Sequence, residues 1–340
     1  MKALFIDAVG TTALGQTPEA TPGPGEVVVA IRHVGLCGSD LNTFRGLNPL
    51  VSLPRIPGHE IGGEIAEVGS GVPAHLSVGT RVTVLPYTAC GTCASCRKGR
   101  TNACRYNRTL GVQQDGGLKE RLTVPFEKII VNAVLAPRHL ALIEPLSVGF
   151  HAVERGRVEK GDRVLVIGCG MIGMGALLGA VRKGAEVTVL DIAGDKLALA
   201  RSLGAAASVN PAEEDAAAAV SRLTGDDGFD VVIEAVGLPE TFTQAVDFAS
   251  FAGRVVYIGY CKAPVSYQTQ LFNLKELDIF GSRNATAADF AAAAACLEAM
   301  GEEADRLISN IFAFDDAADA LPYWDAHRGE VLKIVVELPA

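Results

Sequence analysis

Apolar positions in the first half of the chain fall in short β-rich runs, Glu26–Ile31, Ile61–Val68 and Arg81–Leu85, separated by Gly and Pro as in Pro22-Gly23-Pro24-Gly25. Turn-bounded runs of this kind predict strands of a mostly-β domain. From about residue 160 the rhythm changes. Short apolar runs (Val164–Ile167, Val187–Leu190, Val231–Ile233, Val255–Ile258, Leu277–Phe280) alternate with Ala-rich segments of helical character. That alternation predicts βαβ units and a parallel, doubly wound sheet. After Gly281 the pattern predicts a helix over Ala287–Met300 and a last strand over Val331–Glu337. A strand so far from the β-rich half is expected to pair back into it, making the first domain discontinuous. The expected division is 1–146 with 283–340 for the β domain and 147–282 for the α/β domain.

Length agrees with this picture, since 340 residues suit about two domains. A formal charge of −9 argues against a polyanionic partner such as nucleic acid. No apolar run reaches the 18 or more residues of a spanning helix, so no membrane association is expected. The opening Met1-Lys2-Ala3-Leu4-Phe5-Ile6-Asp7 places an acid inside what would be a signal's apolar core; it reads as a first strand, and the expected compartment is the cytoplasm. Cys169, Cys261 and Cys296 lie singly in apolar surroundings and are expected to be small buried hydrophobes.

The strand Arg163–Ile167 runs into Gly168-Cys169-Gly170-Met171-Ile172-Gly173 and then an apolar helical segment, and the following strand ends at Asp191. A GxGxxG turn between strand and helix, with an acid close to 20 residues on, has the form of a dinucleotide site. Gly168 permits the tight turn, Gly170 lets the backbone approach a pyrophosphate, and Gly173 lets helix and strand pack closely. Free N–H groups at Met171, Ile172 and Gly173, with the helix dipole, favour the phosphates. The Asp191 carboxylate can accept from both adenosine-ribose hydroxyls and repels a 2′-phosphate. Ile192-Ala193-Gly194 offer no Arg to receive that phosphate, so NAD is expected rather than NADP.

Two groups of residues suggest metal. Cys90-x-x-Cys93-x-x-Cys96-x7-Cys104 supplies four thiols from one loop, the closed donor set of structural zinc. Seven residues before the last Cys, followed by Arg105, do not match the ferredoxin spacing. The second group is dispersed: Cys37 in Gly35-Leu36-Cys37-Gly38-Ser39-Asp40, His59 and Glu60 in Gly58-His59-Glu60, and Glu144 in Glu144-Pro145-Leu146-Ser147-Val148-Gly149. Spacing alone does not make ligands of these residues.

Taken in order, the CGSD turn, the GHE loop, the four-Cys lobe, the EPLSVGxHA segment and the GxGxxG with its Asp resemble the zinc-containing medium-chain dehydrogenase family over essentially the whole chain. The polyol, sugar-acid and threonine dehydrogenase branch is the nearest in character. The resemblance implies an α/β architecture of a GroES-like, mostly-β catalytic domain and a Rossmann coenzyme domain. It implies two zinc ions per subunit, one structural and one catalytic. The catalytic ion would lie on Cys37, His59 and either Glu60 or Glu144. It also implies NAD-linked oxidation of a secondary hydroxyl on a small polar substrate, by a homotetramer or homodimer.

In that reaction the metal lowers the pKa of the substrate hydroxyl, and hydride passes to the nicotinamide. Ser39 would take the hydroxyl proton, as the family's serine or threonine does, and Asp40 would support a metal ligand, His59 foremost. Relatives commonly end the relay on a histidine five positions after the Cys ligand; here Asn42 stands there. An amide does not titrate, so the proton must leave by water, by the cofactor ribose or by a carboxylate such as Glu60. Arg45, Asn107 and the pair Arg283-Asn284 are candidates to touch substrate. His75, His139 and His327 are expected at the surface, and His33 packed or at the surface. Two other readings compete: a zinc-free, NADPH-dependent quinone or enoyl reductase of the same superfamily, and a zinc-ribbon binding module built on Cys90–Cys104.

Overall fold

A computed structural model describes residues 1–339. The chain forms two units, Met1–Glu144 with Ala294–Ala340, and Pro145–Ala293. The return crossing therefore falls inside the helix Ala287–Met300 and not at 283. The start of that helix is tied to the second unit by Asp289, which accepts hydrogen bonds from Thr286 and pairs with His151 at 2.9 Å.

In the first unit a seven-stranded sheet is built around two long antiparallel strands, Glu26–Gly35 and Glu60–Val68. Val27, Val29, Ile31 and Val34 on one and Ile61 and Ile65 on the other are almost wholly buried. Sequestering these branched side chains from water is the main drive for this sheet, at about 1.5–3 kcal/mol per fully buried side chain. The register sets Gly35 opposite Glu60. Ile334–Glu337 pairs antiparallel with the other edge of Glu26–Gly35, with Val335 opposite Gly35, so the C-terminal strand does return to the β domain. The pairing brings three chain segments, near residues 36, 60 and 333, to one place.

The second unit is a six-stranded parallel sheet. Its order is Ala207–Val209, Glu186–Leu190, Arg163–Ile167, Phe229–Glu234, Ala249–Tyr257, Asp278–Gly281. The reversal on either side of Arg163–Ile167 is the switch point at which doubly wound sheets bind ligands. Ala207–Val209 was not evident from the sequence, because its three small residues carry no apolar run of their own. They become a strand by pairing with Thr188–Leu190. Among the described residues no helix is long and apolar enough to cross a membrane.

Candidate metal centres and dinucleotide site

Cys37, His59 and Glu60 converge as the sheet register dictates. Cys37 follows the end of one long strand and precedes the short helix Gly38–Phe44, while His59 immediately precedes the partner strand. Their ligand atoms all lie within 4.8 Å of one another. His59, Glu60 and Glu144 are buried, at 5%, 0% and 4% exposure. Gly35 leaves room for this: a Cβ there would stand 2.0 Å from Glu60 Oε2.

Asp40 organises the loops but not in the expected way. Its carboxylate accepts from the backbone N–H of Cys37 (2.9 Å) and of Gly58 (3.2 Å), so it fixes the segments that carry Cys37 and His59 and does not bond the imidazole. Nδ1 of His59 is buried with no hydrogen-bond partner among the described residues. Burial alone would lower the His59 pKa. The Cys37 thiolate, through charge and a hydrogen bond, together with the Glu144 and Asp40 carboxylates, instead raises it well above the usual imidazole range. Sulfur, nitrogen and carboxylate donor atoms gathered within 4.8 Å, with His59 and Glu60 buried, suit zinc. The residues present therefore fit a zinc ion.

Both carboxylates have partners that sequence reasoning missed. Glu60 is gripped by Lys333, whose Nζ lies 2.6 Å from Oε1 and 2.5 Å from Oε2 and also donates to the Leu36 carbonyl at 2.9 Å. Burial raises the Glu60 pKa, and the Lys333 charge opposes that rise. The Tyr87 hydroxyl donates to Glu144 Oε1; burial and then the charge of Glu144 hold its pKa well above the ordinary phenol value. Ser39 Oγ is buried and has no hydrogen-bond partner among the described residues. The Asn42 carbonyl accepts from Leu47 N–H, and its side chain is half-buried.

The other cysteine group forms a second cluster. Sγ separations are 3.5 Å for Cys93–Cys96, 3.8 Å for Cys93–Cys104 and 4.0 Å for Cys90–Cys96. A tetrahedron with metal–sulfur bonds of about 2.3 Å has edges of about 3.8 Å, so the thiols stand at the spacing of a zinc cage. Disulfide sulfurs would be about 2.05 Å apart. Backbone N–H groups of Cys90 and Tyr106 donate to Cys104 Sγ and that of Cys93 to Cys90 Sγ, each at 3.3 Å. Hydrogen bonds from Ser95 and then the Cys96 backbone bring the Cys93 thiol down to about 5.

At the switch point Gly168 takes φ +98°, and a Cβ on Gly173 would stand 1.8 Å from the Gly168 carbonyl oxygen. Gly170 caps the helix Met171–Lys183, whose first turn contains Met171, Ile172 and Gly173. Asp191 lies just past Glu186–Leu190, and its carboxylate accepts from Cys169 N–H at 2.6 Å and Ala193 N–H at 2.8 Å. The glycine turn and the acid, distant in sequence, form one structure.

Arg45 pairs with Asp325 at 3.3 Å, and the buried Asn107 donates to Thr109. His139 is not a surface residue: it is 5% exposed and bonds Asp305 at 2.7 Å. Cys261 is only partly buried, unlike Cys169 and Cys296.

These features define a two-unit dehydrogenase with a zinc-type donor set. Residues 23–133 match the alcohol dehydrogenase GroES-like domain, and residues 172–299 match the zinc-binding dehydrogenase family. The L-galactonate-5-dehydrogenase of Escherichia coli K12 is 35% identical over 93% of this chain and 92% of its own. An alcohol dehydrogenase (rspB) from E. coli CFT073, solved with NADH, superposes with a TM-score of 0.90 at 30% identity, covering 99% of each chain. A zinc-binding dehydrogenase from Sinorhizobium meliloti 1021, solved with NADP, gives 0.88 at 30% identity over 99% of this chain and 98% of its own. The chain belongs to the zinc-type medium-chain dehydrogenase family and is an oxidoreductase.

Proposed function

We propose that this protein is a zinc-dependent, NAD-linked dehydrogenase that oxidises a secondary hydroxyl of a small polar substrate, a polyol or sugar acid, to a ketone. The observation that carries this reading is the convergence of Cys37 with the buried His59 and Glu60, with Glu144 nearby and the unpartnered hydroxyl of Ser39 in the helix that Cys37 precedes. A zinc ion held by Cys37, His59 and a carboxylate supplies Lewis acidity that makes a bound hydroxyl a stronger acid. The alcohol loses a hydride to NAD and a proton to the protein, giving ketone, NADH and H⁺. Ser39 receives that proton and passes it on. Asn42 cannot store it, and both Glu60 oxygens are held by Lys333, so water and the cofactor ribose are the remaining carriers of those considered. The Cys90, Cys93, Cys96 and Cys104 cage holds a second zinc that fixes its loop and leaves no position for substrate.

Asp191 supports NAD over NADP, because a 2′-phosphate would be placed against a carboxylate. The L-galactonate enzyme supports a polyhydroxylated acid as substrate. The edge strand Asp278–Gly281, with Ile279 40% exposed, supports assembly into a homodimer or homotetramer. The test is reduction of NAD and of NADP against a panel of polyols, sugar acids and threonine, with and without a chelator. Chelator-sensitive turnover with NAD is expected. Turnover that is chelator-insensitive and confined to NADP would refute the reading.

A further inference from the structure

Glu234 is wholly buried at the carboxyl end of the strand Phe229–Glu234, beside the strand that leads into the glycine turn. A buried acid is costly unless it is bonded, and the bonds of this side chain go to a single loop. Oε1 accepts from Val236 N–H at 2.9 Å, from Gly237 N–H at 2.7 Å and from the Thr241 hydroxyl at 2.7 Å. That hydroxyl accepts in turn from Leu238 N–H at 3.2 Å. Oε2 has no hydrogen-bond partner among the described residues and is packed under Gly259, where a Cβ would stand 2.4 Å from it. The Glu234 carbonyl accepts from Ile258 N–H at 2.9 Å and from Gly259 N–H at 3.2 Å. One residue thus ties together the loops that follow two neighbouring strands, Phe229–Glu234 and Ala249–Tyr257.

The tied loops present apolar side chains to the outside: Val236, Leu238 and Tyr260 are 45%, 52% and 75% exposed. Val236 lies against the glycine turn, since a Cβ on Gly168 would stand 2.6 Å from Val236 Cγ2. The Tyr260 backbone packs on the same loop, 3.0 Å from where a Cβ on Gly237 would be. A doubly wound sheet consists of two mononucleotide-binding halves that meet at the switch point. Asp191 marks the half on its side as that of the adenosine, so the loops tied by Glu234 belong to the other half. We propose that Glu234 is a positioning residue for the dinucleotide: its carboxylate, cut off from solvent, does not touch the cofactor but holds residues 235–238 and 259–260 as a preformed wall for the nicotinamide half. A wall fixed beforehand spares the cofactor the cost of ordering it on binding.

This inference rests on the NAD-linked reading above, and the test separates the two. Binding of NADH, followed by its fluorescence, and binding of ADP, followed by calorimetry, are measured on the intact protein for wild type, Glu234→Ala and Thr241→Val. ADP carries the adenosine and pyrophosphate but no nicotinamide, so it reports the half that Glu234 does not serve. Glu234→Ala should bind NADH about tenfold to a hundredfold more weakly, the cost of ordering two or three side chains on binding, with ADP affinity unchanged. Thr241→Val, which leaves the buried acid in place but removes the hydroxyl that links it to Leu238, should show a smaller loss for NADH and again none for ADP. Unchanged ADP binding also shows that the domain is folded, which a loss of general stability would not leave intact. Should Glu234→Ala fail to fold, Thr241→Val alone decides. Equal losses for NADH and ADP, or no loss for either, overturn the proposal. A wild type that binds ADP but not NADH overturns the NAD-linked reading itself, and this inference with it.

Discussion

Replacing Asp40 by Ala tests how the two ligand loops are held. The carboxylate, 1% exposed, accepts two backbone hydrogen bonds at 2.9 and 3.2 Å, one from each loop. A hydrogen bond to a charged acceptor contributes about 1.5–3 kcal/mol net. The longer bond belongs at the lower end, and removing a buried charge returns part of the loss. Asp40→Ala should therefore destabilise the metal-free protein by about 3 kcal/mol, with the Cys37 and Gly58 N–H groups left unpaired. Loosened loops should also weaken metal binding at Cys37 and His59, by about tenfold to a hundredfold. The two effects are linked. If metal binds only the folded form, a tenfold loss of affinity adds about 1.4 kcal/mol to the destabilisation measured with saturating zinc. Urea unfolding with and without zinc, and competition with a chromophoric chelator, measure the quantities independently. If affinity is unchanged and the stability loss is below about 0.5 kcal/mol, well under the value of one such bond, the carboxylate does not hold the loops. If the zinc-dependent increment fails to match the affinity ratio, the linkage argument fails.

Cys104→Ser should remove one zinc per chain, read by atomic emission, while cobalt at Cys37 and His59 retains its spectrum; loss of both metals would show that the clusters are not independent. Ser39→Ala should lower turnover by about 10²–10⁴, the span of a lost proton-transfer group, with metal content and NAD affinity unchanged; near-normal turnover would remove Ser39 from the relay. Asn42→His should change the pH dependence of turnover by adding a group that titrates near neutrality, and coincident pH–rate profiles would place Asn42 off the proton path. Asp305 is held at about 2 by hydrogen bonds from Arg138 and then His139, against burial, so its folded pKa lies below its ordinary value. Its stabilising contribution is then complete above about pH 4 and lost as pH falls towards 2. The difference in urea midpoint between wild type and Asp305→Asn should shrink across that window, and a constant difference would contradict the assignment.

The sequence alone determined what is local or periodic. The four-cysteine loop, the glycine turn with Asp191 and the βαβ rhythm all lie within spans short enough for residue type and spacing to dictate geometry. The dispersed centre was legible only as a resemblance, since Cys37, His59 and Glu144 share no local period. What joins Cys37 to His59 is the register of Gly35 opposite Glu60 on two long, largely buried strands. Tertiary structure alone decided that Asp40 binds backbone rather than imidazole, that His139 is buried, and that Ala207–Val209 is a strand. It alone brought Lys333 to Glu60, across 273 positions of sequence. A lysine near a chain end carries no signal of burial in its neighbours. Its role exists only because an antiparallel pairing places it where an acid and a carbonyl, both cut off from water, need a cation between them.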